Sequence, residues 1–252
     1  MVKKETTKEV LPQTKEHIGA VAVPNQAWGA ENVTSEQIII PKIMLMQPMS
    51  ELVTEGIARI GEFRSSLEKD RVLGSDKSPV ELIVFGSFNT WQVFIDGEYA
   101  TTVPITVENV HAAREEVGPN GEKITRSRVL NFYCLLPSDI KSGEAFPFVL
   151  SCKGTSEKAG RTLSTHFMKL KMFNKPTAAW VFGVKSVKET NDKGTFFVMD
   201  LEKLRDSTSE ELTQAYQWYK VLQTAAVKVD DSSEKSVGST FTHENNSSEL
   251  RV

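Results

Sequence analysis

The segment KGTSEKAGRT, residues 153–162, combines glycines, hydroxyls and bases at spacings that could hold a phosphate. In a nucleotide loop of the form G-x-x-x-x-G-K-[ST], backbone amides cradle the phosphates, Lys reaches the terminal one and the hydroxyl holds magnesium. Here five residues separate Gly154 from Gly160 where that loop has four, and Arg161 stands at the Lys position. The planar Arg fork is too wide for so close a cradle. The bases belong to a longer stretch instead: between residues 153 and 175 stand six (Lys153, Lys158, Arg161, Lys169, Lys171 and Lys175) against one acid, Glu157. A local excess of this kind makes a positive surface even where the whole chain carries a formal net charge of −3.

Positive surfaces hold single-stranded nucleic acid when rings stand beside them, because bases stack on the rings while cations meet the phosphates. Lys153, Lys158, Arg161, Lys169 and Lys171 are the candidate phosphate contacts. The strand-like NTWQVFID places Trp91 and Phe94 on opposite faces, and Tyr99 lies just across a turn. In RSRVLNFYCLL, Leu130, Phe132, Cys134 and Leu136 alternate as a core face, which leaves Arg128 and Tyr133 nearer the other side and Arg126 at the entrance. The candidate stacking rings are therefore Trp91, Phe94, Tyr99 and Tyr133, with Arg126 and Arg128 as further bases. Each also has an ordinary role: aromatic side chains dominate cores, and charge runs on helices are commonly solvated faces.

Catalytic and metal chemistry finds little support. The four histidines, His17, His111, His166 and His243, show no metal-ligand spacing among themselves or with cysteine. Asp76, Asp96, Asp139 and Asp192 sit in turn-like sequence, where Asp serves the backbone. No nucleophile, base and orienting group can be assembled, so the expectation is a protein without enzymatic activity, cofactor or metal.

The elements that must position these residues can be read from texture. The 252 residues are 39% hydrophobic and 25% charged, which is ordinary globular material. Cys134 and Cys152 sit inside apolar runs and read as buried free thiols of a reducing compartment. No secretory signal and no apolar run of about 18 residues is present, so neither secretion nor a membrane span is expected. Residues 1–37 read as a flexible arm and 230–252 as a disordered acidic tail. Residues 38–205 show short apolar runs punctuated by turns, the pattern of a mostly-β domain of five to seven strands. Pro41 marks its first run as an edge or bulged strand. Asp96-Gly97 and Asn191 to Gly194 predict hairpin turns, and residues 111–127 a polar insertion. One internal helix is expected from Thr155 or Ser156, as its cap, to about Met172, with Ala159, Leu163, Phe167 and Leu170 on its buried face. A C-terminal helix, within residues 206–229, opens on a Ser/Thr cap with Glu210 and Glu211 and buries Leu212, Ala215, Tyr219 and Leu222. The fold class is mostly β, α+β, and best fits an elaborated Greek-key barrel of the oligonucleotide-binding (OB) type.

The order IPKIMLMQPMSELVTEGIARIGEFRSS, VELIVFGSFNTWQVF, NFYCLLP, PFVLSCKGTSEKAGRTLST and WVFGVKSVKETNDKGTFFVMDL resembles phage-encoded single-stranded DNA-binding proteins of the OB-fold type, over about residues 38–205. That resemblance implies a sequence-tolerant single-strand binder serving phage replication and recombination in the host cytoplasm, as a homo-oligomer. A strand-annealing recombination protein or its helper, and a phage structural or assembly protein, are the alternatives. Bacterial single-strand binders often end in an acidic tail that recruits replication and repair proteins. Here VDDSSEKS is acidic, but the terminal SSELRV departs from the acidic-then-aromatic tip of that tail.

Overall fold

The computed structural model describes residues 38–192, 194–224 and 228–229. The expected arm, 1–37, and tail, 230–252, lie outside these residues. In chain order the elements are β1 (Ile39–Ile40), β2 (Lys42–Leu45), α1 (Glu51–Thr54), β3 (Phe63–Ser65), β4 (Val72–Gly74), β5 (Val80–Ile95), β6 (Glu98–Pro104), β7 (Glu115–Val117) and β8 (Lys123–Leu135). They continue with α2 (Pro137–Ser142), β9 (Phe148–Cys152), α3 (Glu157–Met172), β10 (Trp180–Asn191), β11 (Gly194–Asp206), α4 (Ser209–Thr224) and β12 (Lys228–Val229). The chain is mostly β. Ten strands form one mixed sheet in the order β11-β10-β5-β8-β9-β2-β3-β4, with β6 beside β5 and β7 beside β8, and β1 pairs β12 separately. That exceeds the five to seven strands expected, because the polar stretch 111–127 itself contains a hairpin, β7 to β8, and the first apolar run yields several short strands.

The long strand β5 organises the sheet. Its first residues pair with β10, its second half pairs with β6, and β8 runs along its other edge from Ile83 to Ile95. One irregularity decides which side chains face where. Val84 pairs with Cys134 and Gly86 with Tyr133, so Phe85 is an extra residue on β5. A bulge of this kind reverses the alternation of side chains beyond it. Before it, Val80, Leu82 and Val84 enter the main core with Phe132, Cys134, Leu150 and Phe182, while Ile83 and Phe85 join a second core under α4. After it, Trp91 lies on the face of Arg128 and Leu130, and Phe88, Gln92 and Phe94 lie on the face of Tyr133 and Asn131. At the Asp96-Gly97 turn both residues have positive φ, 50° and 89°, the combination a two-residue turn between twisted strands requires.

The sheet curls into a half-barrel, and side chains link its separated strands. The Gln47 amide donates to the Phe197 carbonyl (2.8 Å) and accepts from the Phe197 amide (3.0 Å), standing in for a strand partner beside β11. Two residues on, the Met199 amide donates to Ser156 Oγ at 3.2 Å. Ser156 therefore does not cap α3, as its position predicted; it satisfies a buried donor of β11. Pro41 corrects a second expectation. It separates β1 from β2, and β2 is an interior strand between β9 and β3, because proline just before a strand removes no ladder bond within it.

The helix expected from Thr155 or Ser156 to Met172 is α3, with Ala159 and Leu163 buried in the main core and Phe167 packed against it. α4 opens on a reciprocal cap: Thr208 Oγ1 accepts from the Glu211 amide and the Glu211 carboxylate accepts from the Thr208 amide. Arg205 also holds that carboxylate and keeps it below the ordinary carboxylate range. On α4, Trp218 packs down where Tyr219 was expected, its indole donating to the Ala145 carbonyl, and Tyr219 is exposed. Burial raises both thiols, Cys152 to about 12, so neither is a thiolate at neutral pH.

Helix α3 approaches the sheet at Gly160, where an added Cβ would stand 2.8 Å from Cys152 Cβ and 2.9 Å from Leu130 Cδ1. Alanine is the better helix former by about 1 kcal/mol, but overpacking costs about 1–3 kcal/mol. Gly160→Ala should therefore lower stability by up to about 2 kcal/mol in urea unfolding, and a raised midpoint would show that α3 moves away freely.

Candidate nucleic-acid interface

The candidate residues fall into three groups. On α3, Lys158, Arg161, Lys169 and Lys171 are exposed, because Ala159, Gly160, Leu163 and Leu170 occupy the buried side. Arg161 is tied to Glu157 one turn earlier at 2.8 Å. Lys158, Lys169 and Lys171 make no ion pair with any described residue. Exposed cations of this kind remain available to an external anion.

The second group lies on the sheet face opposite the main core. Asn131 pairs with Ser151, so Ser151 and the following alternate residue, Lys153, share that face. Lys153 Nζ lies 3.5 Å from Gln92 Oε1. Phe94 and Tyr99 are cross-strand partners on the same face, half-buried and edge to face at 6.1 Å. Tyr133 stands further along it, tilted against Phe88 at 4.7 Å and stacked toward α4 on Phe85 at 6.2 Å. Burial raises the Tyr133 phenol above its ordinary value. Lys153, Phe94, Tyr99 and Tyr133 are thus brought to one face. Phe88 joins them, although its place in GSFNT was not singled out in the sequence; the alternation with Thr90 and Gln92 was the available signal.

The third group lies on the other side of the sheet. Trp91 is 5% exposed and its indole donates to the Asn109 carbonyl at 3.1 Å, so a base could not stack on it. Its cross-strand partner is Arg128. Arg126 and Arg128 follow the alternation of Leu130, Phe132 and Cys134, so Arg128 faces away from Tyr133 and not with it. Arg126 is a strand residue bound to Glu116 and to the Ala113 carbonyl, holding the β7 hairpin in place. That pair holds the Glu116 carboxyl below its usual range and the Arg126 guanidinium above its own.

One basic and aromatic cluster escaped the sequence reading. Lys203 Nζ sits 4.3 Å above the Trp180 ring and donates to Asp206, a cation–π contact. His166 packs edge-on to Trp180 at 5.7 Å and tilted on Phe182 at 5.4 Å, with its Nδ1 buried and without a hydrogen-bond partner. These residues are distant in sequence and meet only because α3 lies across β10 and β11. Among the described residues no cluster of His, Cys, Asp and Glu could hold a metal ion, and no helix is long and apolar enough to cross a membrane.

A family model described as Pam3 phage gp34-like protein matches residues 84–228, more than half of the 252. The chain belongs to the Pam3 phage gp34-like family. It is a phage protein. No curated protein and no solved structure matches it. The family segment opens at the β5 bulge and closes in β12, so it contains both sheet faces, α3 with its bases, and α4.

Burial first, then Lys169 and Lys203, hold the His166 imidazole below the ordinary histidine value of 6.5. The unfolded chain therefore takes up this proton at a higher pH than the folded one, and stability is lost as pH falls below 6.5. The His166 ring should titrate below that value by NMR, and His166→Phe should flatten the decline in urea midpoint between about pH 7 and about pH 5. An imidazole titrating above 6.5 would contradict the placement.

Proposed function

We propose that this phage protein is a non-enzymatic binder of single-stranded DNA. The observation that carries the reading is the exposed side of α3, where Lys158, Lys169 and Lys171 have no ion-pair partner among the described residues and Arg161 stands beside them. Their role is to meet backbone phosphates, a contact that ignores sequence. Lys153, with Phe94, Tyr99 and Tyr133 on the opposite sheet face, supports a division in which rings receive bases and the helix receives phosphates. The spatial order β10-β5-β8-β9, in which the fourth strand returns beside the first, is that of a Greek key and supports an OB-type barrel. In this reading the protein works in the host cytoplasm as a homo-oligomer, coats single strands during phage replication and recombination, and offers its acidic C-terminal tail to replication or recombination proteins. A helper role in strand annealing would use the same surface and would show as faster pairing of complementary strands.

A second reading has its own observation. Met168, Met172 and Phe173 are 59%, 78% and 70% exposed on and just after α3, between its lysines. Apolar side chains displayed among bases fit a protein partner, as in a structural or assembly protein of the virion.

Binding of a homopolymeric single strand, followed across salt concentrations, tests the first reading. Each phosphate contact contributes about 0.7 to the slope of log affinity against log salt. The Lys158→Ala/Lys169→Ala/Lys171→Ala variant should therefore lose about 2 from that slope. Undetectable or salt-insensitive binding would sink it, and high copy number in purified virions would favour the structural reading.

A further inference from the structure

The sheet face that carries Phe94 and Tyr99 also holds a cavity of about 150 Å³ between β5, β6 and β8, open beside Val229 of β12. Its walls include Phe88, Thr90, Gln92, Thr102 and Asn131. Gln92 is only 3% exposed, yet it spends just one of its hydrogen-bonding groups: Oε1 accepts from Lys153, and its amide nitrogen donates to nothing among the described residues. Asn131, 4% exposed, donates one amide hydrogen to Thr90 Oγ1 at 3.0 Å and accepts from Ser151 Oγ at 2.7 Å, which leaves its second hydrogen unspent. Each amide nitrogen therefore keeps a hydrogen to donate, and the two residues line one cavity beside the Phe88 ring.

We propose that this cavity receives one pyrimidine base, carried by a bound single strand. The inference rests on the single-strand reading given above. A cavity of about 150 Å³ holds a single six-membered ring, and the fused rings of a purine are larger. Two free N–H donors call for a ring that presents carbonyl oxygens, which thymine does on both sides of its N3. The hydroxyl oxygens of Thr90 and Thr102 supply acceptors for its N3–H, and Phe88 supplies an apolar face. The strand then has a point of preference inside an otherwise sequence-tolerant interface: phosphates on α3 are held whatever the base, and one position favours thymine.

The test compares full-length protein with Gln92→Leu and Thr102→Leu, using oligothymidylate and oligoadenylate of equal length and thymidine monophosphate. Leucine at 92 keeps the volume and removes an amide whose one hydrogen bond is the long 3.5 Å contact from Lys153, so the thermal midpoint should change little. Leucine at 102, the cross-strand partner of Gln92, fills the cavity from β6. The wild type should bind oligothymidylate more tightly, and each variant should lose about tenfold of that affinity while oligoadenylate binding stays level. Binding of both strands that is unchanged, or reduced equally, overturns the pocket and leaves the single-strand reading standing. Absence of binding to any strand overturns both. Displacement of the oligomer by an equal concentration of thymidine monophosphate would mean that the cavity serves a free nucleotide, which overturns its assignment to a strand.

Discussion

The structure depends on one extra residue in one strand. Phe85 has no partner of its own on β8, and beyond it every side chain of β5 faces the side that its parity before the bulge would have denied it. Upstream, the even positions fill the main core and the odd positions sit under α4. Downstream, the odd positions turn inward with Trp91, and the even positions carry Phe88, Gln92 and Phe94 to the opposite face. A strand of 16 residues therefore serves two cores and then a polar surface without changing direction in the sheet. Gly86, immediately after the extra residue, resumes the pairing opposite Tyr133.

A curled sheet must also dispose of its edges. Edge N–H and C=O groups left open invite pairing with other chains, and here β11 is answered by side chains: the Gln47 amide takes both backbone groups of Phe197, and Ser156 takes the Met199 amide. Ser156 lies immediately before α3, so the same contact that satisfies β11 fixes where the helix begins. Gly160 then allows the helix backbone to approach Leu130 and Cys152 closely. With its apolar side fixed, α3 has no choice about its other side, and the lysines are presented to solvent as a consequence of packing.

Charge and rings are consequently separated in this protein. The cations stand on a helix over one side of the sheet, and the half-buried rings stand on the other, with Lys153 at the strand end between them. A strand of nucleic acid engaging both would pass around the β9 to α3 junction, where KGTSEKAGRT lies. The segment that looked like a nucleotide loop is a hinge in the path of the chain between two surfaces. The family match spans that junction together with both surfaces, and β1 to β4 precede it.

Much of this was legible in the residues. The apolar spacing of Ala159, Leu163, Phe167 and Leu170 defined α3, the Asp96-Gly97 pair defined a hairpin, and the alternation of Leu130, Phe132 and Cys134 defined a core strand, because each signal is local and repeats with the period of its element. Which of Trp91 and Phe94 faces inward was not legible, since both parities of β5 are equally apolar and a bulge leaves no periodic trace. Arg126 was read as lying at the entrance because β8 begins at Lys123, inside sequence polar enough to pass for a loop, whereas Arg128 was assigned against the two-residue alternation that puts it with Leu130. Tyr219 lost its place to Trp218 because the α4 docking angle is set by the surface it meets. Likewise His166, Trp180 and Lys203 became neighbours only when α3 lay across β10 and β11. Local period and turn chemistry set the elements; the register between strands and the packing of helices on them, which depend on contacts between distant residues, decided which side chains share a face.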